Sequence, residues 1–117
     1  MQAPHKVPET GFYYHYKHDP NGEVYDYAYE VIGVGAHTED DCRPDDKFMV
    51  VYRPLYESSV FKAGRLFDIR PLEMWMGNVT KNEKTFPRFQ KIKDQEVIAK
   101  LLAVRLNMYG RWANINP

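Results

Sequence analysis

The chain has a single cysteine, Cys42, so it can form no intrachain disulfide and build no multi-cysteine zinc site. It has no net charge either, because 16 basic side chains are matched by 16 acidic ones. A protein that holds nucleic acid by bulk electrostatics neutralises phosphates with an excess of cations, so this balance argues against that class while leaving room for a local basic patch. No apolar stretch approaches the ~20 residues that a membrane helix requires. The opening residues, Met1 to Pro8, lack the apolar core of a signal peptide. A cytoplasmic protein with no membrane partner is therefore expected. A phosphate-binding glycine loop is missing too, since Gly33-Val34-Gly35 has neither the remaining glycine nor a helix after it.

What is present suits one small folded unit. The length, 117 residues, fits a single domain, and the mix of 44% hydrophobic and 27% charged residues is that of an ordinary globule. Nine tyrosines stand beside six phenylalanines and two tryptophans. Rings of this kind favour pleated, half-buried surfaces, and their first use is to fill a small β core. So many hydroxyl-bearing rings also suggest some aromatic surface.

The period along the chain is mostly two. Residues 1–10 hold two prolines, Pro4 and Pro8, and read as an extended arm. Gly11 to Lys17 alternates Phe12, Tyr14 and Tyr16 with Tyr13, His15 and Lys17, which predicts a strand. Pro20-Asn21-Gly22 predicts a turn. Glu23 to Thr38 is the longest strand candidate, and its Gly33 and Gly35 suggest a bulge or bend. Lys47 to Tyr52 and Arg65 to Arg70 predict two more strands, joined through a loop at Glu57 to Gly64. Pro71 to Trp75 predicts one helical turn, Asn78 to Thr85 a polar turn region and Phe86 to Ile92 a last strand. Then the period becomes helical: Val97, Ile98, Leu101, Leu102 and Val104 form a stripe, with Asp94 placed to cap its start and Gly110 to stop it. The expected architecture is mainly β, a small barrel or roll of about five strands with a C-terminal α-helix. Residues 11–92 would form the β domain, and 93–117 would be a helix and tail packed on it.

One phrase occurs twice. Arg53-Pro54-Leu55 and Arg70-Pro71-Leu72 each end a β-rich run, and the proline, having no N–H, stops the ladder. Arg53 and Arg70 are the leading ligand-binding candidates, because a guanidinium matches carboxylates and phosphates and stacks on rings. Tyr52, Tyr56, Glu73 and Trp75 lie close to them in sequence, and His15 and His37 lie near strand ends. The competing structural reading makes these arginines ties to loop carbonyls or to Glu73. His37 to Asp46 is rich in oxygen ligands but lacks the ordered pattern of a calcium loop, and one histidine with one cysteine is too few for zinc. No metal or cofactor is expected. Cys42 with His15 or His37 admits a nucleophile-and-base reading, though nothing in the sequence brings them into contact. Lys81, Lys84, Arg88, Lys91 and Lys93, with Phe86 and Phe89 between them, form the most basic stretch and the best nucleic-acid candidate.

Several motifs also agree in order with a known family. Tyr14-His15-Tyr16-Lys17, Tyr29-Glu30-Val31-Ile32-Gly33-Val34 with His37-Thr38-Glu39, Val50-Val51-Tyr52-Arg53 with Leu55-Tyr56, Arg70-Pro71-Leu72-Glu73-Met74 and Pro87-Arg88-Phe89 resemble the bacterial family catalogued as domain of unknown function 1653. The resemblance spans about residues 11–89 and implies a compact SH3-like β roll. It carries no catalytic residues with it, because the family has no established activity. Residues 18–28 look inserted relative to that pattern, Phe67 or Asp68 stands where a tryptophan is expected, and the helix from Asp94 looks like an addition. The function expected is a non-enzymatic binding module that recognises a peptide or another anionic ligand at an arginine and aromatic surface. The alternatives are a nucleic-acid-associated protein using residues 81–93 and an enzyme with a histidine-centred site.

Overall fold

Alternating side chains and proline stops divide the chain into short strands, and the computed structural model describes them for residues 6–39, 41, 47–62 and 67–110. In chain order the elements are β1 (Gly11–His15), β2 (Ala28–Ala36), β3 (Phe48–Pro54), α1 (Ser59–Lys62), β4 (Asp68–Pro71), α2 (Leu72–Met76), β5 (Asn78–Lys81), β6 (Lys84–Pro87), β7 (Phe89–Lys91) and α3 (Gln95–Tyr109). Five strands pair antiparallel in the order β4-β3-β2-β1-β7, and β5 and β6 form a separate hairpin. Mainly β with a C-terminal helix is therefore the observed class.

The glycines of β2 mark a bulge. Val31 pairs with Tyr52 and Gly33 with Val51, so Ile32 is the extra residue. The bulge changes the parity of the strand and brings Val34 to the same face as Val31. A sheet with a period of two would otherwise have sent Val34 to the other side.

Each face of the sheet has its own apolar cluster. Tyr13, Val31, Val50, Tyr52, Leu72, Trp75 and Phe89 pack on one face, under α2. Phe12, Ala28, Leu55, Ile92, Leu101 and Tyr109 pack on the other, under α3. Helix α3 starts where expected, with the Asp94 carboxylate accepting from the backbone N–H of Glu96 at 2.9 Å and of Val97 at 3.3 Å. It ends at Gly110, whose φ of 54° suits a residue without a Cβ.

The sheet is rolled but open. In a flat sheet, strands spaced ~4.8 Å apart would put the edges β4 and β7 ~19 Å from each other. Yet the Arg70 guanidinium on β4 lies 5.3 Å from the ring centroid of Phe89 on β7. Trp75 of α2 stacks on that same ring at 3.7 Å, filling the inside of the roll. No ladder joins β4 to β7 among the described residues, so the barrel allowed for from the sequence does not close. The physical reason is the wedge of α2, whose side chains occupy the gap that a closing ladder would need.

Three local expectations change. Asn78 to Thr85, expected as a turn region, is most of the β5–β6 hairpin. Its two-residue turn, Asn82-Glu83, has φ of 53° and 65°, the mirror-image turn geometry that joins tight hairpins. The expected last strand from Phe86 to Ile92 is split at Arg88 between β6 and β7. The loop expected at Glu57 to Gly64 contains α1, where the Ser58 hydroxyl accepts from the N–H of Phe61 at 3.2 Å.

Candidate anion-binding site

The strand register separates the two arginines. Val50 pairs with Arg70, so Arg70 shares a face with Val50 and Tyr52, whereas Arg53, an odd number of residues from Val50, points to the opposite face. The two guanidinium groups do not open into one groove.

Arg53 lies on the α3 side and is fully buried. Its Nε donates to Glu30 Oε1 at 2.8 Å, and its second contact with the same oxygen is also 2.8 Å. Arg105 of α3 holds the other Glu30 oxygen at 2.7 Å. The Tyr109 ring lies 4.3 Å from the Arg53 guanidinium, and the Tyr109 hydroxyl donates to the Pro54 carbonyl. A buried charge held this way ties β2, β3 and α3 together and presents no surface to a ligand. The expectation that Arg53 forms part of a binding surface is corrected on that ground.

Arg70 is in a different situation. Its guanidinium lies 5.9 Å from the Tyr52 ring and 5.3 Å from the Phe89 ring, half-buried, and among the described residues it has no carboxylate partner. His15 pairs across the ladder with Phe89 and sits edge-on to the same ring, at 5.1 Å. Phe89 therefore carries Arg70 on one side and His15 on another. Burial, then the positive charges of Arg70, Lys17 and Arg88, lower the His15 pKa from 6.5 to about 4, so the imidazole is neutral at neutral pH. The charges acting on it are all cations. Arg88 precedes Phe89 in the chain, and its backbone carbonyl accepts from the N–H of Tyr16 at 2.9 Å. Its Nε is buried and has no hydrogen-bond partner among the described residues.

Tyrosines complete the rim. The hydroxyls of Tyr29 and Tyr56 are 2.6 Å apart. Burial raises the pKa of both, so both hold their protons. One of the two hydroxyls donates to the other, which leaves one O–H hydrogen for a further acceptor. Tyr27 stacks near His15 at 5.7 Å and near Tyr56 at 6.1 Å. Its φ of 54° is a strained conformation for a bulky side chain, of the sort found where a structure holds a residue in place for use.

The other expected residues are placed as follows. Tyr52 and Trp75 are buried and form the floor beneath Arg70. Tyr56 is half-buried on the rim, and Glu73 is exposed on α2. His37 follows Ala36 at the far end of β2 from His15, ~30 Å away along a nine-residue strand. Its Nδ1 accepts from the N–H of Glu39 at 3.1 Å. The two histidines thus share no site, and Cys42 lies outside the described residues. The expected acidic metal-like segment lies largely outside them too, and no group of three His, Cys, Asp or Glu side chains comes together among those described. In the basic stretch, Phe89 is buried in the core and Lys91 pairs with Glu9 at 3.1 Å, so these two are not free for bases and phosphates.

Sequence reasoning did not single out Tyr29, Tyr27 or Lys17, and placed Arg88 and Phe89 in a different candidate site. The alternation of tyrosines from Tyr25 to Tyr29 was a usable signal for Tyr29. Nothing local announced that Arg88 would come to His15, because that approach depends on the β1–β7 pairing.

No helix among the described residues is long and apolar enough to cross a membrane. A search of curated proteins finds no relative of the chain. Among solved structures, the chain is similar to a DUF1653 protein from Bordetella bronchiseptica, with 26% identity over 74% of this chain and 94% of that one, and a TM-score of 0.50. The family model described as "Protein of unknown function (DUF1653)" matches residues 11–91, from the first residue of β1 to the last of β7. The rolled sheet with its α2 wedge and its arginine-histidine face falls within that span, and the chain belongs to the DUF1653 family.

Proposed function

We propose that the chain is a non-catalytic binding module of the bacterial cytoplasm, taking an anionic ligand at the face formed by Arg70, His15, Tyr29 and Tyr56. One observation carries this reading: Arg70 is a half-buried guanidinium on aromatic rings, without a carboxylate partner among the described residues, beside a histidine kept neutral. A cation that serves only the fold is ordinarily paired, as Arg53 is with Glu30. Among the described residues no carboxylate holds the Arg70 fork, which suits a ligand's oxygens, and the rings beneath keep it in place. The Tyr29–Tyr56 pair supplies a neutral donor alongside it. The histidine-centred enzyme reading is set aside because His15 and His37 lie toward opposite ends of β2 and share no site. Residues 81–93 support a nucleic-acid reading less well, since Phe89 is a core residue.

NMR titration of the chain with inorganic phosphate and with acetate tests the proposal. Saturable shifts are expected at His15, Arg70 and Tyr56, and Arg70→Ala removes them while the fold persists. Shifts confined to other surfaces, or unchanged in Arg70→Ala, overturn it.

A further inference from the structure

The charges around His15 go beyond a general preference for anions, and the inference drawn from them rests on the binding reading above. Lys17, Arg70 and Arg88 come from three separate parts of the chain, the turn after β1, strand β4 and the link between β6 and β7. All three act on His15, and none has an ion pair among the described residues. Lys17 lies only 6.0 Å from the Tyr16 ring, a weak contact. The Arg88 Nε is buried and has no hydrogen-bond partner among the described residues, so its donor is available to an acceptor. Like charges gathered without an ion pair among the described residues repel, and solvent or a ligand's charge relieves that repulsion. A carboxylate brings one negative charge and two oxygens. A phosphate monoester brings about −1.5 to −2 charges at neutral pH and three acceptor oxygens. Two guanidinium forks, one ammonium and one tyrosine hydroxyl outnumber what a carboxylate can accept and match what a phosphoryl group offers.

We infer that this face is a phosphate-monoester site, with Arg70 and Arg88 as the principal ligands of the phosphoryl oxygens, Lys17 as an outer charge and the Tyr29–Tyr56 pair as a neutral donor. His15 is a positioning residue: its neutral ring, held between Phe89 and Tyr27, lines the site without adding another buried cation. The rings of Tyr16, Tyr27 and Phe86 are half-buried around it and offer faces to whatever the phosphate is attached to.

Calorimetric and NMR titrations at matched ionic strength with inorganic phosphate, phenyl phosphate, glycerol 3-phosphate and benzoate test the inference. Phenyl phosphate is expected to bind at least ~10-fold more tightly than benzoate, because the second charge meets a second arginine. Arg70→Ala and Arg88→Ala should each weaken phenyl phosphate by about 10-fold or more, with Arg70→Lys keeping part of the affinity because it retains charge but loses the fork. If Arg70→Ala or Arg88→Ala fails to fold, Arg70→Lys and Arg88→Gln carry the same comparison. Phenyl phosphate tighter than glycerol 3-phosphate identifies an aromatic phosphate, and the reverse an aliphatic one. Should benzoate bind as tightly as phenyl phosphate, and both depend on Arg70 but not Arg88, the phosphate assignment fails while the anion-binding reading stands. Should none of the four bind at this face, both fail.

Discussion

The two Arg-Pro-Leu segments are the same three residues in the same local setting, yet the fold puts them to opposite uses. Arg53 faces α3, fully buried and held by Glu30, and Leu55 after it enters the cluster beneath that helix. Arg70 faces α2, half-buried and without an ion pair among the described residues, and Leu72 after it enters the other cluster. Both prolines stop strands as their chemistry requires. What differs is the face, and the face is set by the β3–β4 register, which aligns Arg70 with Val50 rather than with Arg53. A motif at a strand end therefore specifies where the strand stops, but the partner strand decides what its side chain meets.

The largest test of this contrast is Arg53→Ala. Removing the guanidinium leaves Glu30 buried at 7% exposure with Arg105 alone among the described residues to offset it, and removes the contact with the Tyr109 ring. Breaking a buried pair from one side costs about 3–5 kcal/mol. Chemical denaturation should show a loss of that order, while phosphate titration of the remaining folded protein is unaffected. A loss below ~1 kcal/mol would mean that the pair does not hold α3 to the sheet, and the two arginines would then differ less than their surroundings suggest.

Much of this fold was legible in the sequence, and the limits have a common cause. Asp94 and Gly110 bounded α3 correctly because caps are local chemistry. Gly33 signalled the bulge in β2, and Pro71 the turn into α2. The β5–β6 hairpin was hidden because Asn82-Glu83 adopts a turn that usually carries a glycine. For the site, Arg70, His15 and Tyr56 were named from their residue types and positions at strand ends. Arg53 and Trp75 were named on the same grounds and proved to be buried, since burial depends on which face each residue takes. Lys17 and Arg88 come together only through the β1–β7 pairing, and such long-range register leaves no trace in a local pattern.

A smaller effect sharpens the comparison through pH. His15 titrates near 6.5 when free and about 4 in the folded chain, so between those values the unfolded chain binds more protons. Acid therefore favours unfolding in that window. The His15 contribution is complete above pH 6.5, is lost as the pH falls and levels off below about 4. After allowance for partial exposure of the ring, it amounts to about 1–2 kcal/mol. Denaturation midpoints of the chain and of His15→Gln, compared at pH 7 and pH 4.5, should diverge in this sense, with His15→Gln losing less stability in acid. Equal losses would show that the cations of the Arg70 face do not bear on His15.

The smallest expected effect is the stability cost of Arg70→Ala. Arg70 contributes ring contacts at 5.3 and 5.9 Å and no ion pair among the described residues, which corresponds to about 0.5–1 kcal/mol. Its removal also relieves repulsion with Lys17 and Arg88, which offsets part of that loss. The thermal midpoint should therefore move little, whereas the His15 pKa, followed by NMR, should rise from about 4 because the largest cationic influence on it is gone. Arg53 is not among the charges that act on His15, so a conservative change there should leave that titration in place. A loss of several kcal/mol in Arg70→Ala, with no change in the His15 titration, would make the second arginine a structural tie like the first, and the difference between the two copies would then be one of position alone.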